Sequence, residues 1–129
     1  MVETNSLHLR RLTEPSARAT CRRLFVDPTK FRAAFCADLP VADADVAAAS
    51  QKPIAGGAFA ETLDAAAWKT VPSWYLVGKQ NQAINPDSER AMAKHIGAHT
   101  VEIDSSHVSF ISHPYAVAHL IEEAAQSVH

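Results

Sequence analysis

Two apolar strands with a helix between them set the strongest limit on what this chain can fold into. Ser73-Trp74-Tyr75-Leu76-Val77 is an almost continuous apolar run bounded by Pro72 and Gly78, the pattern of a strand buried on both faces. His99-Thr100-Val101-Glu102-Ile103 reads as a second strand. Between them, Asn85-Pro86-Asp87-Ser88-Glu89 opens a helix with a capping side chain, proline at the first helical position and acids in the first turn. Met92 and Ile96 are expected to form its apolar face, and Gly97 its stop. A helix between two strands implies parallel pairing through a right-handed crossover. Parallel sheets need both faces covered and usually several strands, yet the chain offers only two clear ones. The run Trp74–Val77 therefore asks for a neighbour on its other side. Leu24-Phe25-Val26, another chain, or polypeptide outside this one are the candidates.

The remaining segments read as helices and breaks. Asp27-Pro28 is an N-cap followed by proline, and Phe31, Phe35 and Leu39 at i, i+4 and i+8 mark one helix face before Pro40. Residues 41–51 are alanine-rich, with Asp43 as the expected cap and Val46, Ala49 and Ser50 on one side. Pro53 and Gly56-Gly57 interrupt again, and Phe59 to Trp68 is expected to be a third short helix. After the second strand, Pro114 starts a helix whose Val117, Leu120, Ile121, Ala124 and Val128 keep helical spacing.

A length of 129 residues with 47% hydrophobic and 20% charged residues suits one globular domain. No run approaches the roughly 18 apolar residues of a membrane span. The net charge of −2 gives no global attraction to nucleic acid or acidic membrane. Residues 1–24 carry Arg10, Arg11, Arg18, Arg22 and Arg23 against Glu3 and Glu14. Such a segment is expected to be solvated and poorly ordered rather than a basic binding arm. It contains no apolar stretch of a secretory signal. Cys21 and Cys36 form no CxxC pair and read as reduced thiols, which points to the cytoplasm.

In an open parallel sheet, ligands bind beyond the carboxyl ends of the strands. Two loops lie there, residues 79–85 and 104–113. The second is longer than most such connections and contains Ser105-Ser106-His107. A histidine so placed can serve as a general base if a nucleophile is within reach; an exposed loop histidine is the plainer alternative. Rival constellations are weaker. His95 and His99 are separated by Gly97 and share no helix face, and three or four converging metal ligands are not evident. Trp68 and Trp74 read as core and cap residues rather than as a base-stacking platform. No glycine-rich phosphate loop is present. Neither a metal nor a cofactor is expected.

From residue 26 to residue 125 the chain resembles the C-terminal half of an α/β-hydrolase, in particular bacterial relatives of the small-esterase and hydroxynitrile-lyase branch. The resemblance rests on Phe31-Arg32-Ala33-Ala34-Phe35-Cys36-Ala37-Asp38-Leu39-Pro40, on Ser50-Gln51-Lys52-Pro53-Ile54, and on Ala67-Trp68-Lys69-Thr70-Val71-Pro72 leading into Ser73–Val77. It closes with Ser105-Ser106-His107-Val108 and Ser112-His113-Pro114. It implies an α/β fold class: a partial α/β-hydrolase fold, with a helical cap (28–68) followed by a strand–helix–strand–helix parallel unit (72–128). Residues 26–129 would then be the C-terminal half of the domain, and residues 1–25 an N-terminal segment without a counterpart.

The resemblance also implies site residues. His107 matches the family's catalytic histidine. The family's acid falls in a Gly-x-x-Asp-x-x-Ile-like stretch, here Gly78-Lys79-Gln80-Asn81-Gln82-Ala83-Ile84, so Asn81 occupies the acid position. An amide there cannot stabilise an imidazolium by charge and can favour the wrong tautomer. Asp104 is poorly directed to replace it, and Asp87 reads as a helix N-terminal acid. The nucleophile elbow G-x-S-x-G does not occur: no serine in the chain has glycine at both −2 and +2. The expectation is therefore an ester-hydrolase-like protein lacking its nucleophile half and inactive as an isolated chain. Its partner would be a small ester-like molecule once a nucleophile-bearing half completes it. The alternative is a truncated or non-catalytic binding module, or a homo-oligomer formed through the open sheet edge.

Overall fold

The computed structural model describes residues 9–11 and 23–127. Strand β1 (Leu9–Arg11) pairs antiparallel with β2 (Arg23–Val26), which pairs antiparallel with the two-residue β3 (Ile54–Ala55). Leu24-Phe25-Val26 is thus a strand, but it belongs to this small sheet and does not lie beside Trp74–Val77. Gln51 helps hold it there: its Oε1 accepts the Val26 N–H and its Nε2 donates to the Val26 carbonyl, each at 3.0 Å. Within the segment 1–25, Leu9–Arg11 and the start of β2 are therefore paired strands. The rest, Cys21 included, lies outside the described residues.

Helix α1 (Pro28–Phe35) begins as its sequence indicates, with the Asp27 carboxylate accepting the Thr29 N–H at 3.0 Å. Helix α2 (Val41–Ser50) starts after Pro40 with no side-chain cap, so Asp43 does not serve as one. Its inward residues are Ala44, Ala47 and Ala48, whereas Val46 is 68% exposed. Small side chains let α2 approach α1 closely, and the face with the larger apolar residue turns outward. The expected helix from Phe59 to Trp68 is absent. Only short 3-10 turns form, at Gly56–Phe59 and Ala67–Lys69. Phe59 and Leu63 are both mostly exposed, so no packed face stabilises a longer helix there.

Strand β4 (Trp74–Gly78) and strand β5 (His99–Ile103) are parallel and in register, Trp74 opposite His99 and Gly78 opposite Ile103. Helix α3 (Pro86–His95) connects them, with Asn85 Oδ1 accepting the Asp87 N–H at 2.8 Å. Gly97 takes a φ of 64°, the left-handed conformation that ends the helix. The inward face of α3 differs from expectation. Glu89 and Ala93 are buried and Met92 is exposed, because the helix turns Glu89 toward the loop after β4. Arg90 clasps Glu102 of β5 through two hydrogen bonds, at 2.9 and 2.7 Å, and reaches Asp87 at 2.7 Å.

After β5, the short α4 (Ser109–Ser112) leads into α5 (Pro114–Ser127). Val117, Leu120 and Ala124 of α5 are half-buried and Ile121 is exposed; Val128 lies outside the described residues. The main buried cluster is Phe31, Cys36, Leu39, Ala44 and Val108, flanked by Val26, Phe35, Ala47 and Ala48. It joins the helical cap to the residue that follows His107. No helix among the described residues is long and apolar enough to cross a membrane.

Candidate functional site

The carboxyl end of the parallel pair is knitted tightly. Lys79 N–H donates to the Ile103 carbonyl at 2.9 Å, and Gln80 N–H to the Ser105 carbonyl at 3.1 Å. Gly78 makes this crossing feasible. A Cβ at that position would stand 2.8 Å from the Ser106 carbonyl oxygen and 2.9 Å from that of Ser105. The two loops that follow β4 and β5 are therefore in direct contact, and Asn81 and His107 face one another from them.

Asn81 is 2% exposed and uses its whole hydrogen-bonding capacity. Its Oδ1 accepts the backbone N–H groups of Ala83 and Ile84, at 2.9 and 3.0 Å. Its Nδ2 lies 3.2 Å from Glu89 Oε1 and 3.1 Å from His107 Nδ1. The His107 ring packs on Phe35 of α1 with centroids 4.5 Å apart. Burial holds the imidazole pKa below its ordinary value.

The serines beside His107 are engaged elsewhere. Ser105 and Ser109 share a hydrogen bond at 2.6 Å. Ser106 gives both its backbone N–H and its hydroxyl to the carboxylate of Asp38, from the segment between α1 and α2. Burial works to raise the Asp38 carboxyl, but hydrogen bonds from Ser106 and Ser112 outweigh it and hold the group below the usual carboxylate range. No serine hydroxyl is hydrogen-bonded to His107 among the described residues. Asp104 is drawn off to Lys79 at 3.4 Å, and Asp87 is exposed at the start of α3.

Next to this cluster lies an apolar cavity of ≈ 440 Å³. Phe31, Phe35, Leu39, Val108 and Ile111 are among its walls, with Val26 and its neighbours in β2 on the cap side. It shares Phe35 with the contact to His107 and Val108 with the His107 loop. Far from it, His99 stacks on Trp74 with centroids 5.2 Å apart. Among the described residues, no three His, Cys, Asp or Glu side chains converge as metal ligands would.

A family model described as the alpha/beta hydrolase family matches residues 3–120. The chain belongs to the alpha/beta hydrolase family. The matched span takes in most of the segment 1–25 as well as the cap and both loops. Among solved structures, the crystal structure of polyneuridine aldehyde esterase superposes with a TM-score of 0.77 at 15% identity. The superposition covers 96% of this chain and 51% of that one. The chain thus spans about half the length of this hydrolase neighbour, and the likeness at that identity is one of fold. A search of curated proteins finds no match. Within this hydrolase frame, the structure brings together His107 and Asn81, the two positions that the family resemblance pairs, at 3.1 Å. It adds two residues that sequence reasoning passed over, Asp38 and Glu89. Glu89 read as an ordinary first-turn acid, and nothing local marks Asp38 as the partner of a residue 68 positions away.

Proposed function

We propose that this chain carries the cap and histidine loop of an ester-hydrolase-like site whose nucleophile comes from polypeptide outside these 129 residues. The chain alone does not turn over esters. The seating of His107 carries the reading: it stands at the carboxyl end of β4 and β5, against cap residue Phe35 and 3.1 Å from the side chain in the acid position. No serine is in hydrogen-bond contact with it among the described residues, and the chain contains no G-x-S-x-G. The esterase named by the neighbouring structure and the adjoining apolar cavity favour a small ester with an apolar acyl or alcohol part. A cytoplasmic setting is part of the same reading, supported by the buried free thiol of Cys36.

The test is hydrolysis of p-nitrophenyl butyrate by the purified chain and by His107→Ala. Equal rates at the uncatalysed background are expected. Turnover that disappears in His107→Ala would show that the chain holds its own nucleophile and would overturn the proposal.

The identity of Asn81 favours a second reading, a non-catalytic binding or oligomerising module. Exchanging the acid of such a triad for its amide costs about 10⁴ in kcat. Saturable binding of short-chain esters without turnover supports the binding form. A dimer by light scattering supports the oligomerising form, and a monomer counts against it.

A further inference from the structure

The environment of Asn81 is built for an amide. Its Oδ1 is committed to two backbone N–H donors, Ala83 and Ile84. Exchanging the oxygen and nitrogen of the amide would set an NH₂ group against those donors and lose both bonds, so the orientation is determined by its partners. The NH₂ group then faces Glu89 Oε1 and His107 Nδ1. It has two hydrogens and meets two acceptors. An aspartate in its place would bring one carboxylate against another inside a buried site.

His107 Nδ1 must accept in this arrangement. A neutral imidazole that accepts through Nδ1 carries its proton on Nε2. Protonating the ring would add a hydrogen to Nδ1 and direct it at the Asn81 N–H, donor against donor. The Phe35 ring, packed on the imidazole, carries no lone-pair acceptor. Glu89 is one amide away, and Asp38 is spent on Ser106.

We propose that Asn81, itself oriented by Glu89, holds His107 neutral with its proton on Nε2, so that the ring presents a hydrogen-bond donor to a carbonyl or carboxylate oxygen. Asn81 and Glu89 are positioning residues. The Nε2 atom has no hydrogen-bond partner among the described residues, and in this tautomer it donates; to serve as a base toward a hydroxyl in a completed site the ring would first have to move its proton to Nδ1, which the Asn81 NH₂ opposes. A ligand that suits the site has an acceptor oxygen for Nε2–H and an apolar body for the adjoining cavity. This ligand class rests on the binding-module reading; the tautomer does not.

Long-range ¹H–¹⁵N correlation NMR of ¹⁵N-histidine-labelled protein reads the tautomer directly, with His107 assigned from its absence in His107→Gln. At neutral pH, Nδ1 is expected to show the shift of an unprotonated nitrogen and Nε2 that of a protonated one, with no averaging between them. Asn81→Ala is expected to return the ring to a tautomer mixture. Asn81→Asp/Glu89→Gln, which avoids two facing carboxylates, is expected to move the proton to Nδ1 and raise the ring's titration midpoint by about 1–3 pH units. A protonated Nδ1 in the unaltered protein, or a tautomer ratio unchanged in Asn81→Ala, would overturn the proposal. Ester turnover does not enter this readout, so its failure is separate from failure of the hydrolase-half reading.

Discussion

Asp38 holds Ser106, the residue before His107, by two bonds at once: Oδ2 accepts the Ser106 backbone N–H at 3.0 Å while Oδ1 accepts its hydroxyl. One carboxylate from the cap thus sets the backbone of the histidine loop. Asp38→Ala leaves the buried Ser106 N–H without its acceptor and its hydroxyl with only the longer 3.4 Å bond to the Phe35 carbonyl, and is expected to lower stability by about 1–3 kcal/mol. Urea unfolding measures the loss. The ¹H–¹⁵N signals of residues 105–108 should broaden or shift in the same variant.

The acid response of the same contact has a definite sign. The folded state lowers the Asp38 pKa, so the unfolded chain takes up the proton first. The stabilisation is present above the ordinary carboxylate range and is lost as pH falls through the depressed folded value. Unfolding midpoints compared between the protein and Asp38→Asn should converge in acid below about pH 4 and separate above it. A constant gap would remove the assigned role.

Glu89 behaves in the opposite sense. Burial raises its pKa, and Asn81, the nearby Gly78 N–H and Arg90 offset this only in part. Its Oε2 is buried without a hydrogen-bond partner among the described residues. The folded state therefore holds the proton more tightly than the unfolded one, and raising pH through the elevated pKa costs stability. Relative to the unaltered protein, Glu89→Gln should gain stability as pH rises from the ordinary carboxylate range through the elevated folded value. Denaturant midpoints measured from acid to neutral pH check the slope, and a relative loss counts against the assignment.

Gly78→Ala tests the crossing of the two loops. The new methyl group meets two backbone carbonyl oxygens at under 3 Å, and neither can swing aside as a side chain could. A loss of about 1–3 kcal/mol is expected from the overpacking. Equilibrium unfolding gives the value, and a neutral outcome would mean that the strand ends separate easily.

Phe31 anchors the cap core at 4% exposure, among Cys36, Leu39, Ala44 and Val108. Phe31→Ala is expected to cost about 3–5 kcal/mol. Cys36, fully buried with its thiol pKa raised chiefly by burial, reports the same loosening. In a Cys21→Ser background, its reaction with a thiol reagent should be slow in the unaltered protein and markedly faster in Phe31→Ala.

Local chemistry made part of this fold readable. The Asn85 cap, the proline after it, and the stop at Gly97 are decided by neighbouring residues, and they appear where the sequence places them. The parallel pairing of Trp74–Gly78 with His99–Ile103 followed from an apolar run, a crossover helix and a second run. The facing of Asn81 and His107 was readable through family resemblance. What failed was decided by distant contacts. Alanine-rich α2 has little periodicity to show which side faces α1, and only the fold shows that Val46 points to solvent. Leu24–Val26 carries no mark of its partner, which proves to be Gln51 and the small antiparallel sheet. Glu89 looks like any acid that favours a helix start. Only the fold shows that it is buried behind Asn81.

Strand β4 is hydrogen-bonded on one side alone among the described residues, to β5. Its other edge presents the backbone of a Trp-Tyr-Leu-Val run with no proline or charge inside it to discourage pairing. A polypeptide that adds a strand on this side of the pair binds along these five residues, and so does a stray copy that starts an aggregate there. Solubility at high concentration and assembly with a completing segment thus compete for one ledge.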